Sequence, residues 1–112
     1  YLKNKTTVVV DSADKRITAA GLRDDEKLLD VIKAHPHVNA YFCGHTHQWN
    51  VLKWEGIHMV NLPTTAYPFA KLDPAGWVLC THAKDKTSLQ LFASDPSHKY
   101  HKQVVEIPHE AR

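Results

Sequence analysis

Apolar and polar positions follow two different periods along this chain, and the change of period divides it. Residues 6–10 form a continuous β-branched run, Thr-Thr-Val-Val-Val. Such a run is the pattern of a strand buried on both faces. Residues 11–21 are polar and read as a loop. From Asp24 or Asp25, either of which is suited to cap a helix, the period lengthens. Leu28, Leu29, Val31 and Ile32 make an apolar stripe, and acidic residues crowd the first turn, where the helix dipole favours them. Pro36 ends the helix after His35. Residues 38–43 are a second strand-length apolar run, broken by Gly44. Strand, helix and strand in that order predict a βαβ unit, with two parallel strands joined by a right-handed crossover.

Beyond residue 48 the chain changes style. Residues 49–54 and 57–62 are extended runs around Glu55-Gly56 and predict a hairpin. Residues 77–82 and 87–92 predict another around residues 83–86. Between them, residues 63–74 carry three prolines and form a loop too long for a tight turn. Residues 94–112 read as a mobile tail with one edge strand at 104–107. The expected fold class is α/β: one βαβ unit joined to mainly antiparallel strands.

Composition narrows the function classes. No apolar run is long enough to cross a membrane as a helix, so a soluble chain is expected. The first residues, Tyr-Leu-Lys-Asn-Lys, are neither an initiator Met nor a signal peptide, which makes a fragment or processed chain the expectation. Net charge is +2, and the lysines form no basic stripe with interleaved aromatics, so nucleic-acid binding is unsupported. Two cysteines, Cys43 and Cys80, are too few for a disulfide framework and read as buried thiols. Compartment stays open.

Nine histidines stand out. His35, His37, His98, His101 and His109 lie in polar or terminal stretches and read as solvated surface residues. His45 and His47 differ, because Gly44-His45-Thr46-His47 follows a buried strand directly. In a parallel sheet, chemistry gathers at the carboxyl ends of strands. Two imidazoles one residue apart at such an end suit a metal, each offering one ring nitrogen and donating the other N–H to a supporting acceptor. Two histidines are too few for a closed structural site, which wants four ligands. A zinc cluster of Cys43, His45, His47, Cys80 and His82 is a weaker candidate; the competing reading makes Cys80 core and His82 a strand end. Trp49, Trp54 and Trp77 read as core or sheet-packing aromatics. Tyr67 and Phe69, in the proline loop, either border a substrate cleft or pin the loop down.

The stretch Val38-Asn39-Ala40-Tyr41-Phe42-Cys43-Gly44-His45-Thr46-His47 is similar to the last metal-binding motif of the calcineurin-like metallophosphoesterases, Gly-His-x-His after an apolar strand. The preceding helix and the following hairpin, Asn61-Leu62-Pro63-Thr64 loop and strand at Gly76-Trp77 also resemble that family. The resemblance spans about residues 6–92. It implies a sandwich of two mixed β-sheets flanked by helices, and a site for two metal ions, usually Mn, Fe, Zn or Ni. His45 would bind one ion and His47 the other. The implied activity is metal-dependent hydrolysis of a phosphoester, by a phosphatase or phosphodiesterase.

The departures shape the expectation. The family's Asp-x-His, Gly-Asp-x-x-Asp and Gly-Asn-His-Asp/Glu motifs do not occur here. The family's His after the strand preceding the helix is also missing, since that place reads Val10-Asp11-Ser12-Ala13. Residues 1–112 are therefore expected to be the C-terminal portion of such a domain. Alone they would be inactive, with a sheet that the missing N-terminal half or another chain must cover. The alternative is a non-catalytic, degenerate phosphoesterase-like module that binds a partner or a single structural metal.

Overall fold

The computed structural model describes residues 24–111 together with the backbone of two short strands, β1 (Val8–Val10) and β2 (Arg16–Thr18). The chain forms two compact units, Tyr1–His35 and Pro36–Arg112.

In the first unit, β1 pairs with β2 antiparallel, Val9 opposite Ile17. The strand expected at residues 6–10 is thus present at Val8–Val10. Its partner lies inside the segment expected to be a polar loop. Arg-Ile-Thr is too short a run to announce itself by period. Helix α1 (Asp25–Lys33) follows. Only Leu29 and Ile32 of the expected stripe are fully buried, and Val31 is exposed. Asp24 stands at the N-cap without a side-chain bond, and the neighbouring Asp25 carboxylate accepts its helix bond from the Glu26 N–H at 3.0 Å. No described helix is long and apolar enough to cross a membrane.

The second unit is a small sandwich. One sheet has the order β3-β5-β4, from β3 (Ala40–Cys43), β4 (Asn50–Trp54) and β5 (Ile57–Asn61). β4 and β5 form the expected hairpin, with Glu55 and Gly56 both at positive φ, 46° and 81°. Positive φ at both central residues is the signature of the tight hairpin turn that matches strand twist. β3 runs parallel to β5, Tyr41 beside Met59 and Cys43 beside Asn61. Here the pairing corrects the sequence reading. The parallel neighbour of the strand before Gly44 is β5, whereas the strand at Val8–Val10 pairs with β2.

The other sheet, β6-β7-β8, is wholly antiparallel: β6 (Gly76–His82), β7 (Lys86–Ala93) and β8 (Val104–Pro108). Its hairpin and edge strand stand where the alternation put them. Gly76 is required by close approach, because a Cβ there would lie 2.2 Å from the Phe92 carbonyl oxygen. Alternate residues of β7, Leu89 and Leu91, face inward and pack with Trp49, Val60 and Ile107 into one core between the sheets. The architecture is mixed α/β, mostly antiparallel, with one described helix.

Candidate functional site

The loop from Gly44 to Trp49 leaves the carboxyl end of β3. Gly44, which breaks the apolar run in the sequence, is not crowded, since a Cβ there would meet nothing within 4 Å. The unusual backbone belongs to the histidines: His45 has φ 81° and His47 φ 54°. Non-glycine residues in the left-handed region carry a conformational cost that the surroundings must offset.

Asn61 supplies much of that offset. It ends β5 opposite both Cys43 and Asn50. Its buried amide donates to Thr46 Oγ1 at 2.6 Å and to the Gln48 carbonyl at 2.8 Å, while its oxygen accepts from Cys43 Sγ at 3.4 Å. One side chain therefore ties down the loop on both sides of His47. A polar residue closing the apolar run from Ile57 was the sequence signal for this role.

His47 is held from a second direction. Its Nδ1 lies 2.6 Å from the Tyr67 carbonyl oxygen. A carbonyl only accepts, so Nδ1 carries the proton, and in the neutral ring Nε2 then bears the lone pair. The imidazole stacks on Phe69 at 4.0 Å and 4°, and meets Tyr67 edge-on at 5.2 Å and 73°. A fixed tautomer with the outer nitrogen deprotonated is what metal-binding histidine needs. His45, on the same loop, is exposed.

Tyr67 and Phe69 tie their loop to His47, and backbone and polar contacts hold it as well: Gly76 N–H donates to the Thr64 carbonyl, Ala66 N–H to Thr64 Oγ1, and His98 Nε2 to the Leu72 carbonyl.

The wider cysteine–histidine cluster is not assembled. Cys43 is engaged with Asn61 and the Val60 carbonyl. His82 belongs to a separate relay at the other end of β6. There His109 Nδ1–H donates to the Lys84 carbonyl, so Thr87 Oγ1–H donates to His109 Nε2 at 2.8 Å and accepts from His82 Nδ1–H at 3.0 Å. His109 and His98, expected as solvated residues, are instead half-buried and bonded. Cys80, expected in the core, is exposed, and Cys43 is only half-buried. Among the described residues no group of three or more His, Cys, Asp or Glu is placed to hold a metal ion. The two loop imidazoles are two donors. They do not fit a pair of metal ions by themselves.

No family model matches the chain, and no curated protein matches it. Among solved structures it is similar to the crystal structure of a Vps29 single mutant from Entamoeba histolytica, with a TM-score of 0.51 and 15% sequence identity. The match covers 96% of this chain and 62% of that one, so the chain spans less than two thirds of the neighbour's length. At such identity that likeness shows a shared fold and nothing of role.

Proposed function

We propose that residues 1–112 are the C-terminal portion of a metallophosphoesterase-type domain, and that alone they act as a non-catalytic binding module built around the Gly44–Gln48 loop. The observation that carries this reading is the bond from His47 Nδ1 to the Tyr67 carbonyl, which leaves Nε2 as the ligating nitrogen. With His45 two residues away on the same loop, this reading gives one metal ion two imidazole donors, and Zn, Fe, Mn and Ni all accept such donors.

The second reading keeps the loop and adds the rest of a domain. Here the chain hydrolyses a phosphoester only when an N-terminal half brings carboxylate and further histidine ligands for two metals. The 62% coverage of the Vps29 structure leaves room for such a half. The same half would cover β3, where the half-exposed Phe42 borders a cleft of about 660 Å³. Both readings agree on the isolated chain. With Mn, Zn or Fe ions supplied, the pure 112-residue protein should release no p-nitrophenol from p-nitrophenyl phosphate above the metal-only blank. Turnover that disappears in His47→Ala would overturn the binding-module reading.

A further inference from the structure

The loop opposite His47 presents aromatic rings outward. Tyr67 is 62% exposed and Phe69 67% exposed, although both sit on a loop that other contacts also fix. A buried aromatic only anchors a loop; these two are displayed by it as well. Their arrangement is ordered. One face of the Phe69 ring is covered by His47, parallel at 4.0 Å. With two thirds of the residue still in water, the opposite face is the open one. Tyr67 stands across both rings, 72° to Phe69 and 73° to His47. The result is a flat ring face with a perpendicular aromatic wall, stacked on a histidine of the candidate site.

We propose that Tyr67 and Phe69 form a stacking platform for the planar aromatic group of a ligand, a nucleobase or an aryl ring, which lengthens the His47–Phe69 stack by one ring. Offset stacking on an exposed ring tolerates any π-face and excludes water from both partners. The position beside His47 gives the ligand's class: a phosphoester whose alcohol part is aromatic or carries a base. That last step rests on the Gly44–Gln48 loop binding metal or phosphoryl groups. The platform itself does not.

The test uses the 112-residue chain and NMR titrations with three probes: adenosine, adenosine 5′-monophosphate and ribose 5-phosphate. p-Nitrophenyl phosphate serves as an aryl counterpart. Adenosine and adenosine 5′-monophosphate should shift the Phe69, Tyr67 and His47 resonances, while ribose 5-phosphate leaves Phe69 and Tyr67 unmoved. A comparable shift with p-nitrophenyl phosphate marks a general aryl platform, and its lack marks a base-selective one. Phe69→Ala should weaken adenosine binding by roughly 5- to 150-fold, the span expected for one stacked base. Phe69→Leu, which keeps apolar volume without the ring, should behave like the alanine variant while preserving the remaining spectrum. Equal binding of all probes, or adenosine binding unchanged in both Phe69 variants, overturns the platform and leaves the patch as a protein-contact surface. The two ideas fail separately. Loss of metal binding in His45→Ala with adenosine shifts intact concerns the loop alone, and adenosine shifts that never reach Phe69 concern the platform alone.

Discussion

Leu89 and Cys80 stand directly opposite each other on neighbouring strands, on the same face of one sheet. Leu89 is sealed from water and Cys80 is exposed. Register and side-chain direction are the same, so cover makes the difference. Above Leu89 lies the β3-β5-β4 sheet, with Val60 and Trp49 in contact across the core. Above Cys80 lies a cleft, lined also by Phe42, His82 and Ile107. A period-2 pattern tells which residues share a face, whereas burial also needs the partner layer.

The largest way to break this contrast is to truncate both sides of it. Leu89→Ala should cost about 2–5 kcal/mol, because a cavity opens in a covered core. Cys80→Ala should change stability by no more than about 0.5 kcal/mol, as at an exposed site. Urea denaturation of the two variants gives the comparison directly. Similar losses would mean that the cleft is closed in solution.

A smaller effect belongs to the loop. Asn61→Ala removes a buried amide with three hydrogen bonds and leaves Thr46 and the Gln48 carbonyl to find water. A loss of about 1–3 kcal/mol is expected. Faster amide exchange should follow across residues 44–48, with β7 unchanged. If exchange in that loop stays as slow as before, the restraint on His45 and His47 comes from elsewhere.

Local features of this fold are written in the sequence, and long-range ones are not. The hairpin around Glu55-Gly56 and the β6–β7 hairpin were legible because alternation and a turn are local signals. So was the Gly-His-x-His loop, since it follows a strand end. The parallel pairing of β3 with β5 was not, because it joins residues across the intervening hairpin strand and leaves no mark in the local pattern. Strand β2 was hidden by its three-residue length. The exposure of Cys80 and the partial burial of His109 depend on where the second layer stops, which no window of residues reports. Asn61 could have been singled out as a polar residue at an apolar strand's end, though its partners could not.

The smallest effects are electrostatic, at the far end of the covered sheet and in the segment after it. Lys86 is held above its ordinary 10.5 by its hydrogen bond to Glu106 at 2.6 Å and by that carboxylate's charge. A raised lysine contributes fully below its ordinary value and loses that contribution as pH rises through the raised one. Glu106→Gln should therefore lower the Lys86 titration point and trim stability slightly, at neutral pH and up to the lysine range. Asp95 is held below its ordinary 3.8 by the Ser97 hydroxyl and backbone N–H. Its contribution is present above the ordinary carboxylate range and fades as pH falls through the lowered value. Ser97→Ala should raise the Asp95 titration point toward ordinary. NMR titration of both variants reads these shifts, and both pairs are exposed, so added salt should shrink the Lys86 effect.

The loop after β3 is proposed to bind one metal ion through its two imidazoles, with too few donors for two metals among the described residues. Isothermal titration of the 112-residue protein with Zn²⁺ tests it most directly. One weak site per chain is expected, lost in His47→Ala and weakened more than about tenfold in His45→Ala, since losing a ligand should cost more than losing a group that only supports one. Two tight sites, or binding unchanged when both histidines are replaced, would contradict the account.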